Sequence, residues 1–199
     1  MNLWKRGYLQ RNIERKDCGQ AEWVTGMFFL LILSILLHTQ LQIASWQTTG
    51  MYLEDALAAS NLASALIDLG EYGRTNLILV EDPEEAYRIY LEAVKENLQL
   101  DEQWLCENKT LISGQVEIVD YVVYNVKKGN VYASRVGTGG YVTESWSGGV
   151  GTVRAPDGNV IEHTGIYSEI RFPVRGFLGI EIPAHKGKLV DIVGKEEEN

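Results

Sequence analysis

The stretch KDCGQAEWVTGMFFLLILSILLHTQLQ, residues 16–42, decides how the chain is read. Gly19 and Glu22 stand at the lip of an apolar run, residues 24–43, whose centre (residues 27–37) carries Ser34 as its lone polar group. A helix of that length spans roughly 30 Å, the thickness of a bilayer's hydrocarbon core. The far end of the run is softer, with His38, Thr39, Gln40 and Gln42. Trp23 and Trp46 bracket it, as aromatic residues do at the two membrane interfaces. A carboxylate at the edge of such a segment is expensive to bury, so Glu22 calls for a partner.

Two other readings of the run compete with a membrane span. A buried core helix would be equally apolar, but the run is long, follows basic residues and has flanking tryptophans. A secretory signal peptide would need small residues at a cleavage site after the run. QLQIASWQ (residues 40–47) offers Ala44 and Ser45, yet Gln42 or Ile43 falls where a further small residue is required.

Charge divides at the same place. Residues 1–19 hold Lys5, Arg6, Arg11, Arg15 and Lys16 against Glu14 and Asp17, a net +3, so the −9 of the whole chain leaves −12 for the remainder. A basic tip before an apolar run predicts a cytoplasmic N-terminus. The acidic body argues against nucleic acid as a partner, because phosphate binding needs clustered Lys and Arg. Cys18 and Cys106 flank the run, on opposite sides of any membrane it spans, so a disulfide framework is not expected.

The helical pattern continues past the run. Leu53, Ala56, Leu57, Ser60, Ala63, Ala65, Leu66 and Leu69 recur at helical spacings in an Ala- and Leu-rich stretch with no proline. The pattern predicts one helix over residues 21–69, with Gly70 and Gly73 as its stops, and an apolar stripe on the outer half that something must cover. A second helix is predicted after Asp82 as N-cap, with Pro83 in the first turn and Tyr87, Tyr90, Leu91, Val94 and Leu98 facing inward. From Thr110 the texture turns to β: LISGQVEIVDYVVYNV (111–126), a KKGN turn (127–130), VYASRV (131–136), an APDGN turn (155–159), VIEHTGIYSEIRFPV (160–174), GFLGIEI (176–182) and KLVDIV (188–193). Residues 137–151 read as a glycine-rich loop.

The expected fold class is α+β: a long N-terminal helix, half transmembrane and half amphipathic, a second helix, then an antiparallel sheet that covers the stripe. The expected organisation is a basic cytoplasmic leader (1–19), a transmembrane helix (20–44), its extracytoplasmic continuation (45–70), an α+β extracellular domain (71–194) and a disordered tail (195–199).

No catalytic motif stands out. His163 and His185 lie in the head without metal-ligand spacing, Cys106 has no evident base nearby and reads as a partly buried thiol, and the glycine-rich stretch lacks the lysine of a phosphate cradle. EDPEE (81–85) and PDGN (156–159) read as a helix cap and a turn in preference to calcium loops. NKT at Asn108 fits a glycosylation sequon, a motif common by chance. Neither an enzyme, a cofactor nor a metal is expected.

A basic leader, then CGQAEW (18–23), an apolar helix running on into an ectodomain and an α+β head: this order resembles the type IV pilin-like proteins, specifically the TadE-like minor pilins or pseudopilins of the tight-adherence (Tad) class. The resemblance implies that a prepilin peptidase cuts after Gly19 and exposes Gln20 as the new N-terminus. It implies that Glu22 pairs, inside a helix bundle, with the terminal ammonium of a neighbouring pilin subunit, offsetting the burial of both charges and fixing register. Gly26 and Ser34 would allow close helix approach in that bundle. Partners so implied are the membrane, other pilin subunits, the prepilin peptidase and a pilus assembly platform. The alternative reading is an uncleaved single-pass anchor bearing a binding, adhesion or sensor head.

Overall fold

The computed structural model describes residues 3–107, 112–176 and 179–193, with side chains from residue 22 onward. Three helices precede five strands: α1 (Leu3–Ser64), α2 (Leu69–Thr75), α3 (Pro83–Asn97), β1 (Glu117–Lys127), β2 (Asn130–Val136), β3 (Val142–Gly149), β4 (Gly165–Arg175) and β5 (Glu181–Asp191). All neighbouring strands are antiparallel, in the order β3-β2-β1-β4-β5. The fold is therefore α+β, with the helices first and the sheet after them. The chain divides into two compact units after Trp46.

The second unit is built around the inner face of the sheet. Thr49, Leu53, Ala56, Leu57, Ser60, Asn61 and Ser64 form the buried stripe of α1, at spacings of three, four and one. Leu53 and Leu57 join Tyr90 and Val94 of α3 and Tyr121, Val123, Ile166 and Ile170 of the sheet in one core. Strand alternation sends Val122, Tyr124, Val131, Ala133 and Tyr167 to the opposite face. There Ala155 and Ile161, from the connection between β3 and β4, pack over them.

Helix α3 begins as its sequence predicts. The Asp82 carboxylate accepts from the backbone N–H of Glu84 (3.0 Å) and Glu85 (3.1 Å), and Pro83 opens the helix where its missing N–H costs nothing. The KKGN turn is a two-residue hairpin with Lys128 (φ 52°) and Gly129 (φ 78°) both left-handed, the twist that joins β1 to β2.

Five expectations are corrected. The long helix ends at Ser64, short of Leu69. Ala65 N–H bonds back to Leu62 C=O in a tighter turn, and the chain then enters an antiparallel bridge in which Ile67 pairs with Val80 and Asp68 N–H donates to Leu79 C=O (3.0 Å). The stripe changes with it: Ala63, Leu66 and Leu69 are exposed, while Asn61 and Ser64 are buried. Gly70 and Gly73 do not stop α1; they lie inside α2, which Asp68 caps through Glu71 N–H. The glycine-rich loop contains a strand, β3, on the sheet's edge. GFLGIEI and KLVDIV are not two strands; the last two residues of the first (Glu181 and Ile182) and the first four of the second (188–191) belong to one, β5. The sequon at Asn108 and the tail from residue 194 lie outside the described residues.

Candidate functional site

Within α1, Glu22–Ser64 contains a window long and apolar enough to cross a membrane, and none of that window is buried inside the chain. It is the one such helix among the described residues. Trp23, Phe28, Phe29, Leu30, Leu33 and Leu37 are each more than half exposed, and they lie all around the helix, not along one side. A core helix of a water-soluble domain would bury at least one face. The run has no such cover within its own chain.

The residues singled out at its start stand as follows. Gly19 and Gln20 lie on α1, and their side chains are outside the described ones. Glu22 is exposed and one helical turn from Gly26. A methyl group built on Gly26 would meet nothing within 4 Å, so the glycine answers no need for space in this chain. It leaves a notch bordered by Glu22, Trp23, Met27, Phe29 and Leu30. Ser34 is exposed too, two further turns along and about 80° round from Gly26. Glu22 and Gly26 thus share one side of the helix, and Ser34 does not share it.

In the second unit the outer half of α1 is held by polar contacts as well as by packing. Lys186 Nζ (2.8 Å) and Lys188 Nζ (2.7 Å) of β5 bracket the Glu54 carboxylate. Those hydrogen bonds, Lys186 first and Lys188 next, hold its pKa down from 4.5 to about 2. Asn61 Nδ2 donates to the backbone carbonyls of Lys188 (2.9 Å) and Ile166 (3.3 Å). The Ser64 and Tyr121 hydroxyls share a buried hydrogen bond of 2.9 Å. Burial, first of all, raises the Tyr121 pKa.

The sheet's other face carries two polar clusters that sequence reading did not single out. Arg135 Nε meets Asp120 Oδ1 (3.0 Å), its Nη1 meets Glu144 Oε2 (2.6 Å), and its guanidinium lies 5.3 Å from the centre of the Trp146 ring. Tyr167 donates to Glu169 Oε2 (3.0 Å), and His185 Nδ1 lies 3.3 Å from Glu169 Oε1. A Cβ on Gly187 would strike the Tyr167 hydroxyl, so this ring requires a glycine on the neighbouring strand. Desolvation, with the Glu169 bond next, raises the Tyr167 pKa and keeps the phenol a neutral donor. Only cross-strand register brings these residues together, and no linear motif encodes it.

The other candidates have structural surroundings. The Cys106 thiol is buried and reaches the Leu98 carbonyl at 3.4 Å. Asp82 caps α3, and Asp157 accepts from Asn159 N–H (3.0 Å) within its turn. Among the described residues, no group of three or more His, Cys, Asp or Glu side chains is placed to hold a metal ion. Comparison of the chain with protein-family models, with curated proteins and with solved structures found no match.

Proposed function

We propose that this chain is a single-pass membrane protein with a structural role: a minor pilin-like or pseudopilin-like subunit of a bacterial Tad-type pilus or related secretion filament. In this reading residues 1–19 face the cytoplasm, the apolar half of α1 sits in lipid and the α+β head is extracytoplasmic. On assembly the apolar half moves from lipid into a bundle of like helices, so its surface stays dry throughout. One observation carries the reading: α1 is apolar and uncovered over the run at residues 24–43, while its C-terminal part, from Thr49 to Ser64, contributes the buried stripe of the head. The lengths agree as well, since Trp23 and Trp46 lie about 35 Å apart along a helix.

Glu22 supplies the assembly contact, pairing with the ammonium of Gln20 on a neighbouring subunit once the leader has been cut after Gly19. Its position also favours a second reading. Glu22 is the third residue after Gly19, whereas pilin-like proteins usually place this glutamate fifth. An uncleaved anchor that carries a binding or adhesion head needs no such spacing.

The intact mass of the protein recovered from cells separates the two readings. Loss of residues 1–19, blocked by replacing Gly19 with a bulkier residue, is the result expected of a filament subunit. A mass that retains Met1 removes the filament reading and leaves the anchor. Glu22→Ala is expected to spare membrane insertion and to impair incorporation into filaments; normal incorporation removes the role given to Glu22.

A further inference from the structure

The apolar half of α1 carries a finer pattern than its mean apolarity. Met27, Leu31, Ser34, His38, Leu41 and Ser45 follow one another at spacings of four, three, four, three and four. This is the 3.5-residue repeat of a left-handed helix pair, in which every such position faces the partner. All six are exposed within the chain, and all six precede Trp46.

Two of them sit where lipid serves them worst. Ser34 is at the middle of the span between the two tryptophans, and His38 is roughly 6 Å further along the axis. Hydrocarbon offers neither donor nor acceptor, so a hydroxyl and an imidazole at that depth favour a neighbour that has both. His38 and Ser45 also interact within the chain. An imidazole has two ring nitrogens, and a hydroxyl can donate once and accept twice.

The chemistry of the seam points to its occupant. Copies inserted in the same direction run parallel, so each seam residue meets its own counterpart. Serine and neutral histidine each donate and accept, so each can bond its own kind; a lipid tail or an all-apolar helix can do neither. Ser34 and Ser45 are small and let the backbones approach, while Met27, Leu31 and Leu41 fill the intervening layers. Gln40 lies off the seam, about 160° round from His38, and serves as an internal control.

We propose that the seam formed by Met27, Leu31, Ser34, His38, Leu41 and Ser45 is a self-association surface that takes the membrane helix of a second copy of this chain in parallel register. The proposal rests on the membrane-spanning part of the reading above and not on the filament. Its test uses the full-length chain, tagged at the C-terminus with a donor or an acceptor fluorophore and reconstituted into phosphatidylcholine vesicles over a range of protein-to-lipid ratios. Energy transfer above that of random proximity is expected. The double variant Ser34→Leu, His38→Leu is expected to weaken association roughly tenfold, and Gln40→Leu to change it less than about twofold. Circular dichroism of the same samples checks that the head stays folded. Transfer no greater than random, a seam variant that associates as well as the parent, or equal losses from Gln40→Leu would each overturn the proposal. The filament reading fails separately: protein that keeps residues 1–19 in cells yet pairs in vesicles removes the filament and leaves the seam.

Discussion

Leu33 and Leu62 lie on the same helix and are almost equally exposed, at 53% and 54%. The equality hides two different situations. Around Leu62 the helix has an inside: Asn61 and Ser64 are buried against the sheet, and Leu62 is on the side that remains. Around Leu33 there is no inside, because residues 30–36 are exposed on every side. A scattered exposed leucine on a folded head is ordinary. An uncovered apolar run of twenty residues, 24–43, is not, and it requires a surrounding that is not water. What separates the halves of α1 is thus the pattern of polar positions, not the count of apolar ones.

Core truncation should divide the two halves most sharply. Leu57→Ala removes a fully buried side chain from the head core and is expected to cost about 2–5 kcal/mol, read from denaturant unfolding of the head in detergent. Leu33→Ala is expected to leave that transition in place; an equal loss would mean that the apolar half is part of the head's core. Charge insertion reverses the contrast. Leu33→Arg is expected to disfavour membrane insertion by about 2.5–3.5 kcal/mol, measured as the inserted fraction in a translocation assay. Leu62→Arg should alter head stability by no more than about 0.5 kcal/mol.

Smaller effects sharpen the account of how the head grips its helix. Asn61→Ala withdraws the donor from two carbonyls, and a loss of about 1–3 kcal/mol is expected. An unchanged unfolding midpoint would show that water replaces the amide without loss. Glu54→Gln tests the weakest link. The folded carboxyl titrates near 2 and the ordinary one at 4.5, so folding favours the ionised form. That contribution is complete above pH 4.5 and fades as pH falls towards 2. The Glu54 side chain is 39% exposed and therefore screened, which limits the difference between parent and variant to about 1 kcal/mol at pH 7. The two unfolding curves should converge on acidification; a gap that widens at low pH would contradict the pairing.

Much of this architecture is legible in the sequence where local chemistry decides it. The long apolar helix, the Asp82-Pro83 helix start, the KKGN hairpin and the β texture from residue 111 each follow from side-chain type and spacing. The failures have a common cause, which is that tertiary partners overrode local preference. Ala65 and Leu66 favour helix, yet the chain leaves it to form the bridge between Ile67 and Val80. Asn61 and Ser64 are polar and lie outside the expected stripe, yet the sheet offers them two carbonyls and a tyrosine hydroxyl. Strand β3 shows no alternation because it is an edge strand with no buried residue, rich in glycine and serine. His-Lys-Gly at 185–187 looks like an interruption, but Gly187 is where the Tyr167 ring needs room and Pro183 is tolerated on an edge. The pairing of Arg135 with Asp120 and that of Glu169 with His185 exist only through register and left no linear trace.

The measurement that bears most directly on the division of α1 compares the two leucines themselves. A nitroxide is placed at Leu33→Cys or Leu62→Cys in the full chain, with Cys18→Ser and Cys106→Ala, and the protein is reconstituted in lipid vesicles. Collisions with oxygen, which concentrates in hydrocarbon, are then compared with collisions with a water-soluble nickel chelate. The label at 33 should meet oxygen and be shielded from nickel, and the label at 62 should meet nickel freely. Equal nickel accessibility at the two positions would contradict the proposal that the apolar run of α1, residues 24–43, lies in a membrane.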